Sequence, residues 1–93
     1  MTSRRLPPNE DELRLVAILL EEYIPLDEDL KMSYHSSQRG NTAVRICGVT
    51  RECCWFVDMY RGPWFRIVVP GFEGSTADNH FSMIAQLGAK LKG

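Results

Sequence analysis

The stretch Ala43–Val69, AVRICGVTRECCWFVDMYRGPWFRIVV, decides the fold of this chain. Strands are read from period-two alternation and from β-branched and aromatic content. From Cys53 to Met59 the odd positions Cys53, Trp55, Val57 and Met59 are all apolar, whereas Cys54, Phe56, Asp58 and Tyr60 are mixed. The odd set therefore points to the core. In the next run Phe65, Ile67 and Val69 form the apolar set, and Trp64, Arg66 and Val68 face the other way. Arg61-Gly62-Pro63 between the runs is a strong turn signal. A loop of these three residues sets Tyr60 opposite Trp64, Asp58 opposite Arg66 and Phe56 opposite Val68 on one face. It sets Met59 opposite Phe65 and Val57 opposite Ile67 on the other. A loop longer or shorter by a single residue would pair core positions with solvent positions. The aromatic pair and the opposite-charge pair are each worth roughly 0.2–1 kcal/mol. For the preceding hairpin, Thr50-Arg51 reads as a two-residue turn. That turn brings Val44 and Ile46 to the core face and places Cys47 opposite Cys54 on the outer one.

Working outward toward the N-terminus, Lys31–His35 reads as a further strand with Leu30, Met32 and Tyr34 inward, and Ser36–Asn41 as its loop. Residues 1–8 read as a flexible arm, stiffened at its end by Pro7-Pro8. Asn9 is a good N-cap, with Glu12 in the capping-box position and Glu10, Asp11 and Glu12 at the positive end of the helix dipole. A helix from Glu10 to Ile24 follows, stopped by Pro25. Leu13, Val16, Ala17, Leu20 and Ile24 form its apolar stripe, widened by Leu15, Ile18 and Leu19. That width reads as a helix lying between the sheet and a second helix, with a subunit interface on part of the stripe as the alternative.

Toward the C-terminus, Pro70-Gly71 ends the last strand and Phe72 tucks back on the core. A closing helix is expected over Ala77–Lys90, capped by Thr76 or Ser75. Its buried stripe reads Phe81, Ile84, Ala85, Gly88 and Leu91, with Met83 and Leu87 beside it and His80 toward solvent. The expected fold is α+β: helix, four-stranded antiparallel meander, helix, with both helices on one face of the sheet. Residues 9–93 form that single domain after the arm.

Composition narrows the function classes. The 93 residues have 44% hydrophobic and 25% charged content, which is ordinary for a small globular domain. A net charge of −1 lacks the basic excess of a dedicated nucleic-acid binder. An odd number of cysteines, two of them adjacent, is a poor disulfide framework and points to a reducing cytoplasm. Met1–Glu10 has no apolar run of a signal peptide, and the longest apolar run, Leu15–Leu20, is too short to span a bilayer.

If both helices share one face, the other carries Lys31, Ser33, His35, Arg45, Cys47, Cys54, Phe56, Asp58, Tyr60, Trp64, Arg66 and Val68. Tyr, Trp, Phe and Arg are the types enriched at interface centres. Phe56, Tyr60, Trp64 and Arg66 read as partner-binding anchors, with Arg45 and Asp58 giving orientation. The expected function is non-enzymatic protein binding, as a small inhibitor or adaptor of the kind phages and mobile elements encode. The partner is a larger protein or a second copy. Nucleic acid on the same face ranks below it, because the start of the last helix, Ser75–His80, has no basic cluster to meet phosphates. A thiol enzyme built from Cys47 or Cys54 with His35 and Asp58 lacks a pocket and an oxyanion hole on a flat sheet. Adjacent strand residues point to opposite faces, so Cys53 and Cys54 cannot chelate one ion, and no metal or cofactor is expected.

Overall fold

The structure, a computed structural model, describes residues 4–92. Helix α1 (Glu10–Tyr23) is followed by strands β1 (Lys31–Ser36), β2 (Thr42–Thr50), β3 (Cys53–Tyr60), β4 (Trp64–Val69) and β5 (Phe72–Thr76), then helix α2 (His80–Leu91). The strands form one antiparallel sheet in chain order, so the fold is α+β with five strands rather than the expected four. The additional strand arises because Pro70-Gly71 makes a hairpin turn, with Gly71 at φ 83°, where glycine is nearly free of steric cost. That turn sets Phe72 opposite Val69 and Ser75 opposite Arg66. Gly74-Ser75-Thr76 belongs to β5 and does not cap a helix. The cap of α2 is Asn79, whose Oδ1 accepts from the Ser82 N–H at 2.8 Å, so α2 begins later than expected. Asn9 caps α1 as expected, with its Oδ1 accepting from the Glu12 N–H and its Nδ2 donating to the Glu12 carboxylate, both at 2.8 Å.

The β3–β4 pairing has the expected register throughout, from Tyr60 opposite Trp64 to Phe56 opposite Val68. The β2–β3 pairing is shifted from expectation. Its turn is Arg51-Glu52, both left-handed at φ 52° and 66°, the conformation whose twist suits a two-residue hairpin. Side chains disfavour this region by about 1–2 kcal/mol per residue. Asp27 offsets part of that cost: its carboxylate accepts from the Glu52 N–H at 2.9 Å, and its own N–H donates to the Val49 carbonyl at 2.8 Å. Cys47 consequently lies opposite Phe56, and Cys54 opposite Val49. The parity is unchanged, so Val44 and Ile46 do reach the core.

Both helices feed one core on one side of the sheet. Val16 and Leu20 of α1 and Met83, Ile84 and Leu87 of α2 pack with Ile46, Trp55, Val57, Met59, Phe65 and Ile67. Trp55 lies across Gly48 on the neighbouring strand, where a Cβ would overlap the indole. The indole Nε1 donates to Thr50 Oγ1 at 2.9 Å, and that hydroxyl donates to the Pro25 carbonyl, tying the end of α1 to the sheet.

Two buried sets differ from expectation. Helix α2 is rotated, so that Met83, Ile84 and Leu87 point inward while Phe81 and Ala85 are exposed. Its apolar residues spread over a wide arc on either side of the core-facing stripe, leaving a polar strip of Ser82, Gln86 and Lys90, and the pattern alone does not choose within that arc. Met32 and Tyr34 lie on the helix side of the sheet by register, yet they are 42% and 75% exposed. Helices pack about 8–10 Å apart and strands about 4.8 Å apart, so two helices cover roughly four strands. Helix α2 lies against β4 and β5, with α1 beside it, and β1 overhangs. Among the described residues no helix is long and apolar enough to cross a membrane.

Candidate functional site

On the face away from the helices, alternation brings Arg45, Asp58 and Arg66 into one row across β2, β3 and β4. Asp58 is 1% exposed yet fully engaged. Its carboxylate accepts from Arg45 Nε at 2.8 Å and Arg45 Nη2 at 3.0 Å, a two-pronged pair, and from Arg66 Nη1 at 3.1 Å. Arg66 Nε donates in turn to Glu73 of β5 at 2.7 Å. The Asp58 hydrogen bond holds the Arg45 guanidinium above its ordinary pKa, against the lowering effect of partial burial. Arg66 is raised chiefly by Glu73 and then by Asp58. A raised base contributes stability that is present below its ordinary pKa and lost only as pH rises through the folded value, so the row stays intact across neutral pH. The Arg45 guanidinium also stacks 4.0 Å from the Phe56 ring centroid. The ladder is thus a closed electrostatic unit that holds Phe56 in place.

At one end of this face lie Tyr60 and Trp64, packed edge-on with centroids 5.1 Å apart. They are half-buried, because the described part of the N-terminal arm, residues 4–8, lies along this end. The Arg5 carbonyl accepts from the Thr42 N–H and the Leu6 carbonyl from the Arg61 N–H, at 2.9 and 2.8 Å. The Arg5 guanidinium sits 4.1 Å above the Trp64 ring. Residues 1–3 of the expected flexible arm lie outside the described residues.

At the other end the face sinks into a depression of about 520 Å³. Cys47, Val49, Cys54, Phe56, Val68 and Pro70 form much of its lining, with Lys31, Glu28 and Asp29 at the margin. Of the four anchors and two orienting residues read from sequence, the structure brings Arg45, Phe56, Asp58 and Arg66 into one cluster and leaves Tyr60 and Trp64 at the strapped end. Val49, Pro70, Glu73 and Arg5 were missed. Val49 continues the Arg45–Cys47 alternation and was legible. The other three depend on a fifth strand and on a strap that no local pattern announces.

The thiol constellation is not assembled. His35 lies opposite Ala43 while Cys47 lies opposite Lys31, about 13 Å away along the strand. Asp58 is occupied by two arginines. Cys47, Cys53 and Cys54 are free thiols, and among the described residues no three of His, Cys, Asp and Glu converge as a metal site. His80, expected in solvent, is half-buried with its ring edge-on to Phe65 and its Nε2 without a partner. No protein-family model, no curated protein and no solved structure matches this chain.

Proposed function

We propose that this chain is a non-enzymatic protein-binding domain, an inhibitor or adaptor acting in the cytoplasm, that seats a larger protein on its outer sheet face. The observation that carries the reading is the apolar depression lined by Val49, Phe56, Val68 and Pro70 beside a charge ladder already neutralised within the chain. Apolar contact area next to pre-paired arginines can be desolvated without stranding a charge, and a fixed aromatic anchor binds without losing rotamer freedom. Arg45, Asp58 and Arg66 set the position of Phe56, and Tyr60 and Trp64 bound the face at its far, strapped end.

The second reading, nucleic acid on the same face, is weakened because Arg45 and Arg66 are each bound to a carboxylate and not free for phosphates. A low-salt gel shift separates the two, since phosphate contacts are strongest there. For the protein-binding reading, wild type and Val68→Asp are used side by side to capture partners from the native host. The expected result is a partner retained by wild type and reduced at least tenfold with the variant, while circular dichroism is unchanged. Equal retention by a folded Val68→Asp variant removes the site.

A further inference from the structure

Helix α2 is buried on one side and uncharged on much of the other. Its outward stripe reads Phe81, Ala85 and Ala89, at a spacing of four, and all of them are exposed, Phe81 to 64%. The outward stripe of α1, by contrast, includes Asp11 and Glu22 beside Leu15 and Ile18. After His80, α2 is apolar apart from the polar strip Ser82, Gln86 and Lys90, and an arc wider than one core-facing stripe calls for a second cover. The exposed side of α2 also borders a groove of about 480 Å³ whose lining includes Ala85, Gly88, Ala89 and Lys92, with Tyr23 of α1 among its walls.

We infer that a second copy of this chain covers the stripe, with the two α2 helices antiparallel about a two-fold axis at Ala85. Three features of the stripe match each other under that symmetry. The axis sets Phe81, the one large residue, opposite Ala89 of the other copy. Ala85, Gly88, Ala89 and Lys92 stand at relative positions i, i+3, i+4 and i+7, the four-residue hole that receives one knob in helix packing. Phe81 of each copy is that knob, so the patch is self-complementary, as an isologous contact requires. The same axis sets Asp78, which precedes the cap of α2, opposite Lys92 at the other copy's helix end. The charges are opposite in sign, and the helix dipoles run antiparallel. The contact is only about 18 Å long, so a dissociation constant in the micromolar range is expected. This dimer leaves the outer sheet face free and does not rest on the function proposed for it.

Sedimentation equilibrium on the full chain tests the inference. Wild type is expected to show twice the chain mass at high micromolar concentration. Ala85→Glu places two carboxylates face to face at the axis and is expected to give a monomer with an unchanged circular dichroism spectrum. Lys92→Asp is expected to weaken the dimer at least tenfold, and the double exchange Asp78→Lys with Lys92→Asp to restore it. In a Cys54→Ser background, Ala85→Cys is expected to form an intermolecular disulfide under mild oxidation, because the axis brings the two Cα atoms within about 4–7 Å. A monomeric wild type at all concentrations overturns the inference. So does a dimer that survives Ala85→Glu, or a charge exchange that fails to restore association.

Discussion

Strand β1 and the β3–β4 hairpin belong to the same sheet and show comparable alternation in sequence, yet they are held in different ways. Along β3 and β4, Trp55, Val57, Met59, Phe65, Ile67 and Val69 are all buried, and the opposite face is tied by the Asp58 ladder. Every residue of β1 is exposed, including Met32 and Tyr34 on the side that carries the helices. Alternation states which residues share a face. Whether that face is covered depends on the width of the helical layer, which is a property of the whole fold.

The contrast can be broken most forcefully at Asp58. Asp58→Ala leaves the Arg45 guanidinium without its counter-ion and Arg66 with Glu73 alone. Removing one partner of a buried pair costs about 3–5 kcal/mol, and the partial exposure of both arginines reduces this to about 2–3 kcal/mol. Urea denaturation of the monomer should show that loss, and a change under 1 kcal/mol would mean that the ladder is not what fixes the hairpin. Gly48→Ala comes next, because the new methyl meets the Trp55 indole. Overpacking of this kind costs about 1–3 kcal/mol, readable in the same experiment together with a change in Trp fluorescence. Tyr34→Thr in β1 should be the mildest, within about 0.5 kcal/mol, as for other exposed positions. A loss above 1.5 kcal/mol there would show that β1 is covered in solution.

How much was legible follows the same division. The Arg61-Gly62-Pro63 loop carries its own parity, so every pair from Tyr60–Trp64 to Phe56–Val68 was readable from residue order. The Arg51-Glu52 turn was not, since neither residue is a usual occupant of a left-handed position and the support comes from Asp27, distant in sequence. Strand β5 was hidden because Gly74-Ser75-Thr76 resembles the approach to a helix. The rotation of α2 was hidden because Phe81 and Ala85 are as apolar as Met83 and Leu87. In the candidate site the Asp58–Arg66 pair was foreseen from the loop parity, whereas Arg45 comes opposite Asp58 only through the Arg51-Glu52 turn. The strap over Trp64 and the hollow near Pro70 required tertiary structure.

The adjacent cysteines of β3 have a practical consequence. Alternation turns Cys53 and Cys54 to opposite faces, and only Cys54 is well exposed, at the rim of the hollow. A maleimide dye should therefore label Cys54 ahead of the other thiols. Its emission would then report directly when a guest occupies the hollow, before that guest has been identified.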